Sequence, residues 1–173
     1  MGFLSATKPF NFPIFTGEEY LSEEESEQLG VLFDTLFPAD HANGVPGASD
    51  AKAERFISRL LALDEGEYHK IVEWREAYRL GLPELDKAAR ANFSTPLAEL
   101  SAEDADTFLS RLEGGTLTGL EDDFDQRGLF RMLLEHCLKG CFADPSWGGN
   151  DAGIMWRWLG WIQPAEDIQF KGN

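Results

Sequence analysis

The chain has 173 residues, and its 31 acidic and 15 basic residues give it a formal net charge of -16. This length fits a single domain, and the 43% of hydrophobic residues are enough to build a core. A phosphate backbone would be repelled by such a charge, so nucleic acid is not an expected partner. The acidity favours solubility or, alternatively, attraction to a basic partner surface.

Residues 1–21 show neither helical nor strand periodicity, and we predict an extended N-terminal arm here. Phe3, Phe10, Phe12 and Phe15 need a surface to cover, either on this domain or on a partner. With Lys8 as its one basic residue and no bounded apolar run, the arm is not expected to be a secretory signal. No later stretch is long enough to predict a membrane span.

Residues 22–173 are predicted to form one all-α domain. Ser22-Glu23-Glu24-Glu25 is a capping box, which starts a first helix that Phe37-Pro38 ends. We expect Ser49 or Asp50 to cap the next helix.

A long helix then follows from Tyr68, and Pro83 is predicted to kink or restart it. Ser101 starts another helix, which Gly114-Gly115 stops, and Glu121-Asp122-Asp123 reads as the acidic first turn of a further one. The fold class is therefore all-α: an irregular bundle of about six helices with an N-terminal arm and a C-terminal aromatic turn and helix.

The stretch from Cys141 to Asn150 should leave the helical conformation and form a defined turn. The junction before Pro145 disfavours helical angles, and Pro145 lacks a backbone donor. Gly148 and Gly149 allow positive φ, and Asn150 tolerates it. A turn with so many special residues usually presents a functional group.

Tryptophans mark this turn and the segment after it, and we predict that they contact a partner. The turn should offer Trp147 outward, while Trp158 and Trp161 share a helix face and Trp156 points elsewhere. Two apolar faces need a second surface, which a partner could supply. The predicted partner-binding residues are Pro145, Trp147, Gly148, Gly149, Asn150, Trp156, Trp158, Phe10 and Phe12.

Motifs for cofactor or nucleophile chemistry are missing from the sequence. It has no dinucleotide fingerprint, no Gly-x-Ser-x-Gly elbow, no Glu-x-x-His pair and no Cys-x-x-Cys-His run. We therefore expect no catalytic residue, cofactor or metal in this chain. Cys137 and Cys141 should be buried apolar residues rather than a disulfide. The histidines, His41, His69 and His136, are expected at the surface or at helix ends.

Three runs resemble the gluconate 2-dehydrogenase subunit 3 family. The most specific is Cys141–Asn150, Cys-Phe-Ala-Asp-Pro-Ser-Trp-Gly-Gly-Asn, which is similar to the family's C-terminal run. The others are Leu36–Asp40, with Pro46–Ala48 just after it, and Gly81–Ala88. The resemblance covers about Ser22 to Trp161, and its Trp-containing helix corresponds here to residues 151–161.

The resemblance implies a non-catalytic small subunit that binds and stabilises a large dehydrogenase. In that family the partner is a flavoprotein of the glucose–methanol–choline type, which holds FAD and oxidises a sugar, sugar acid or glycoside, often with a cytochrome c subunit. Periplasmic members usually carry a twin-arginine signal. The expected location is the cytoplasm if Met1 is the native start, or the periplasm if such a signal was removed or the partner carries one.

Two alternative functions remain open from the sequence. The chain could be a stand-alone acidic helical binding module, or an enzyme that uses the region of Asp40, His41 and Asp50. Turnover by the purified chain without a flavoprotein would favour the enzyme. A monomer that captures no flavoprotein would favour the binding module.

Overall fold

The computed structural model describes residues 19–161, so most of the predicted arm, including Phe10 and Phe12, lies outside the described residues. Within 19–161, six α-helices and four short 3₁₀ turns form an irregular bundle without a β-sheet, which confirms the predicted all-α fold. The helices are α1 (Glu23–Leu36), α2 (Ala53–Ala62), α3 (Ile71–Phe93), α4 (Ala102–Gly114), α5 (Gln126–Phe142) and α6 (Ile154–Trp158).

Two helices begin at the predicted residues because local side-chain bonds determine their ends. Ser22 and Glu25 form the capping box at the start of α1, with the Glu25 amide donating to Ser22 Oγ over 3.2 Å. Ser101 caps α4 in the same manner, and Gly115 ends it in the left-handed conformation with φ 70°.

The start of α2 differs from the prediction, because neither Ser49 nor Asp50 caps it. The helix begins at Ala53, and Lys52 precedes it in a left-handed conformation without a side-chain cap. Ser49 instead bonds to the Asp34 carboxylate, while Asp50 accepts from the Gly47 amide over 2.8 Å. Both candidate caps are therefore used to close the loop before the helix.

The expected interruption at Pro83 is also absent, because α3 continues through it. Proline removes one helical hydrogen bond, which normally disfavours this position. Leu82 and Leu85 flank it and are fully buried, so packing of the helix face outweighs the lost bond.

The fifth helix begins later than predicted, at Gln126 rather than at the acidic run Glu121–Asp123. Asp125 is its N-cap and accepts from the Gly128 amide over 2.9 Å. This helix contacts α1, α2 and α4, and its Cys137 and Cys141 are buried free thiols, as predicted. In the described part, no helix is both long and apolar enough to cross a bilayer.

Candidate functional site

The end of α5 leads into a compact segment, residues 143–150, that we call the aromatic turn. The helix ends at Phe142, and Pro145–Trp147 form a single 3₁₀ turn. Asp144 begins this turn by accepting a hydrogen bond from the Ser146 amide over 2.9 Å. Gly148 closes it with φ 101°, a value that favours glycine.

Gly149 serves a different purpose from the one its position predicts. Its φ lies outside the positive region, but its backbone packs directly on α5 and α2. A Cβ atom at this position would overlap the Gly140 carbonyl oxygen and lie 2.9 Å from Phe56 Cβ. The absence of a side chain, and not backbone freedom, is what this site requires.

Asn150 holds the aromatic turn to the helix that follows. Its φ of 45° is positive, as predicted, and its side chain is fully buried. Its amide nitrogen donates to the Ala143 carbonyl over 3.0 Å, and its amide oxygen accepts from the Met155 amide over 2.9 Å. One side chain therefore joins the start of the turn to α6.

The tryptophan helix is shorter than the predicted residues 151–161, because α6 contains five residues. Ala152, inside the preceding 3₁₀ turn Asp151–Gly153, adopts φ 50°, and Gly153 precedes the helix with φ 72°. Trp156 is half-buried, and its indole nitrogen donates to the Phe142 carbonyl over 3.1 Å. This bond anchors α6 on the end of α5.

An exposed apolar area, the aromatic surface, forms where α6 meets the ends of α1 and α5. Trp158 is 42% exposed and its ring lies edge-on to Phe37, with centroids 6.3 Å apart. Phe37 in turn contacts Phe142 edge-on at 5.7 Å. The surface comprises Phe37, Phe142, Trp156, Trp158, Leu159 and Trp161, of which Trp161 is 69% exposed.

The predicted partner-binding residues that the structure describes fall into three groups: buried, half-buried and exposed. Gly148, Gly149 and Asn150 are buried and define the conformation of the turn. Trp147 is half-buried against the core rather than offered fully outward. Their contact with a partner stays a prediction, as it does for the half-buried Pro145 and Trp156 and the exposed Trp158.

Sequence reasoning missed Phe37, Phe142 and Leu159 as members of the aromatic surface. Phe37 and Phe142 each occupy the last turn or cap of a helix, directly before a non-helical segment that contains a proline. In two of the runs that resemble the family, Leu36–Asp40 and Cys141–Asn150, a phenylalanine stands shortly before the proline. This shared position is the sequence signal that could have identified Phe37 and Phe142.

The region of the alternative enzyme hypothesis does bring two of its residues together. His41 Nε2 and Asp50 Oδ2 are 2.7 Å apart, with the His41 side chain 72% exposed. The hydrogen bond with Asp50, followed by its charge, raises the pKa of His41. Asp40 is used elsewhere, since its carboxylate accepts from the Asn43 amide and side chain.

This pair lies in an open groove of about 390 Å³ that also adjoins the aromatic surface at Trp158. A histidine with a carboxylate can act as a general base when a nucleophile lies beside it. The described residues that line this groove include no serine, threonine, cysteine or lysine. The pair also ties the loop before α2 together, since Asp50 bonds to both His41 and the Gly47 amide.

His136 is buried, which corrects the expectation of a surface or helix-end histidine. Its Nδ1 lies 2.9 Å from the Tyr78 hydroxyl, and its ring meets Trp74 edge-on at 4.6 Å. Burial, followed by the charge of Lys139, lowers the pKa of His136 to about 4. Among the described residues, no group of three or more His, Cys, Asp and Glu side chains could hold a metal.

A model of the family described as gluconate 2-dehydrogenase subunit 3 matches residues 23–163. The match includes all six helices, the aromatic turn and the tryptophans after it. The chain belongs to the gluconate 2-dehydrogenase subunit 3 family. The resemblance inferred from its three runs is thereby confirmed.

Membership in the subunit 3 family implies association with other subunits of a gluconate dehydrogenase complex. Searches of curated proteins and of solved structures found no match. The chain is therefore placed in the family by the family match over residues 23–163.

Proposed function

We propose that the chain is a non-catalytic small subunit that binds and stabilises a large FAD-dependent dehydrogenase. The large subunit, a flavoprotein of the glucose–methanol–choline type, oxidises a sugar, sugar acid or glycoside, and a cytochrome c subunit completes some such complexes. The flavin and the catalytic base belong to the partner, and the small chain supplies a binding surface. Family membership supports this assignment at the level of an accessory subunit.

The aromatic surface is the observation that carries the proposal. Trp158, Leu159 and Trp161 are more than two-fifths exposed and lie close together in sequence at the end of the chain's described part. Exposed apolar areas of this kind are typical of protein interfaces, where tryptophan often contributes most of the binding free energy. The aromatic turn positions this surface through the bonds of Asn150 and Trp156.

Binding would stabilise the large subunit by mass action. A partner that binds the folded chain and not the unfolded chain raises its free energy of unfolding, and the gain grows with the ratio of ligand concentration to dissociation constant. The net charge of -16 would speed association with a basic surface. The predicted contacts at Pro145, Trp147, Trp156, Trp158, Phe10 and Phe12 belong to this proposal.

Co-expression with the large flavoprotein of the same host tests the proposal. The chain should co-purify with a flavin-containing subunit. Trp158→Ala should weaken the complex tens-fold, equivalent to about 2 kcal/mol, with unchanged circular dichroism. The control is Leu80→Ala, which removes a 51% exposed side chain on α3 and should leave the affinity unchanged.

Three results would contradict the proposal or part of it. If no flavoprotein co-purifies, the accessory-subunit function fails. If the purified chain alone turns over a substrate and His41→Ala abolishes that turnover, the enzyme hypothesis replaces it. Equal binding by the Trp158→Ala and Leu80→Ala variants would move the interface away from the aromatic surface.

A further inference from the structure

A second apolar feature borders the aromatic turn, and we call it the α2–α5 groove. It has a volume of about 610 Å³ and is partly open to solvent. Its apolar lining comes from three parts of the fold: α2, the start of α3 with the segment before it, and the aromatic turn. The lining side chains are Phe56, Leu60, Leu63, Tyr68, Trp74 and Trp147.

The floor of the groove is held in place before any ligand binds. Trp74 is 5% exposed and stacks on Tyr68, with ring centroids 5.1 Å apart. The His136 ring meets Trp74 edge-on, and Lys139 Nζ lies 5.2 Å from the centre of the Trp74 ring. A preorganised apolar floor lowers the entropy cost of binding.

The rim of the groove carries negative charge. Glu67 and Asp144 line it, and neither has a cation within ion-pairing distance among residues 19–161. Lys139 also lines it, but Glu135 pairs with it at 2.6 Å. A ligand that fits must therefore combine an apolar side chain for the floor with positive charge for the rim.

We propose that the α2–α5 groove receives an apolar side chain from a segment of the large subunit that has a lysine or arginine beside it. The inference rests on the proposed function and adds a second contact to the aromatic surface. A second copy of this chain is a poor occupant, because each copy carries a net charge of -16 and would be repelled. A basic segment of a different protein meets both requirements of the groove.

Photocrosslinking in the intact complex tests this proposal. The probe is p-benzoylphenylalanine, introduced as Leu63→p-benzoylphenylalanine in the full chain and co-expressed with the large subunit. Leu63 lines the groove and follows the end of α2, so the replacement spares the helix. The same probe at Leu80, on α3 and outside the groove lining, is the matched control.

The expected result is a covalent product between Leu63's replacement and one peptide of the large subunit, containing an apolar residue next to lysine or arginine. The Leu80 control should give no such product. A product with a second copy of the chain, or with residues 1–18 of the same chain, would overturn the proposal. So would a complex that forms normally and yields no product from position 63.

A charge reversal separates this proposal from the proposed function. Glu67→Lys places positive charge on the exposed rim and should weaken binding about tenfold, with a smaller dependence of affinity on salt. Glu113→Lys makes the same charge change at an exposed site on α4 and should leave binding within about twofold. Equal affinities for the two variants would refute the groove as a contact, while a complex would still support the accessory-subunit function.

Discussion

The aromatic turn and the segment Gly81–Ala88 both belong to runs that resemble the family, and both contain glycine and proline, yet they have different structures. In the turn, Pro145 starts a 3₁₀ turn and Gly148 takes a positive φ. In the second segment, Gly81 and Pro83 lie inside the uninterrupted helix α3. Glycine and proline therefore set the backbone conformation of the aromatic turn, whereas in α3 they lie within a regular helix.

The two segments also differ in what surrounds one glycine of each. Gly149 faces the backbone of Gly140 and the Cβ of Phe56, which cannot move without moving two helices. Gly81 faces the end of the Leu129 side chain, with methyl carbons 3.2 and 3.3 Å from an ideal Cβ position. A side-chain end can rotate away, so we expect the turn to be intolerant of substitution and the helix segment to be tolerant.

The largest effect should come from Gly149→Val. The new side chain would overlap the Gly140 carbonyl, and the aromatic turn would have to leave α5. We expect the free energy of unfolding to fall by about 3 kcal/mol or more, measured by urea denaturation.

Gly30→Val is the matched control, because no atom lies within 4 Å of its ideal Cβ position in α1. That change should alter the free energy of unfolding by less than about 0.5 kcal/mol. If Gly149→Val were as mild as the control, the close approach of the turn to α5 would not exist in solution.

The second prediction separates the two roles of Asn150 within the turn. Asn150→Ala removes both side-chain bonds, to Ala143 and Met155, and replaces a residue type that tolerates φ 45° with one that disfavours it. We expect a loss of about 3 kcal/mol in the free energy of unfolding. Asn150→Gly removes the same bonds but accepts the positive φ, so it should lose about 1 kcal/mol less than the alanine variant.

Equal losses for the alanine and glycine variants would show that backbone conformation contributes nothing at position 150. Near-normal stability of both would mean that water replaces the two bonds. Urea denaturation and loss of the Trp fluorescence signal of the folded state should report the same transition in either variant.

Much of the fold could be predicted from the sequence because the deciding interactions are local. Ser22 and Ser101 cap helices through residues three positions further on, and Gly115 ends α4 through its own φ. The prediction for Asp50 was wrong because its partners, the Gly47 amide and His41, depend on how the loop folds. Pro83 stayed within α3 because burial of that face outweighs a local preference.

The candidate site was less predictable, because it depends on contacts between distant segments. The sequence indicated a special turn and its tryptophans, and Asn150 has the predicted positive φ. The reason for Gly149 lies in Gly140 and Phe56, which no local pattern reveals. The burial of Trp147 likewise depends on the hydrophobic core that it packs against.

The third prediction concerns the contact between α3 and α5. Gly81 and Tyr78 on α3 both take part in it, Gly81 against Leu129 and Tyr78 against His136. The pKa of His136 is about 4 in the folded protein, while the ordinary value for histidine is 6.5. As the pH falls, the unfolded chain therefore binds this proton before the folded protein does. The contribution of neutral His136 to the free energy of unfolding is therefore fully present above pH 6.5, and it is lost as the pH drops toward 4. We expect a loss of about 2 kcal/mol between pH 7 and about pH 4.5.

Carboxyl groups also titrate in this range, so the measurement must be a difference between two proteins. His136→Gln keeps a hydrogen-bond acceptor for Tyr78 but cannot be protonated. Its urea midpoint should vary less with pH than that of the parent. Parallel pH profiles for the two proteins would show that His136 is not protected from protonation, and that the α3–α5 contact opens readily.

The smallest effect should come from Gly81→Ala, which completes the comparison with Gly149. Alanine in a helix interior gains about 1 kcal/mol over glycine, while crowding of Leu129 costs a similar amount. The net change in the free energy of unfolding should therefore stay within about 1 kcal/mol of zero. In a Leu129→Ala background the crowding disappears, so the same substitution should stabilise the protein by about 1 kcal/mol. A loss in the parent background as large as that of Gly149→Val would mean that Leu129 cannot rotate away, and that the helix contact is as intolerant as the aromatic turn.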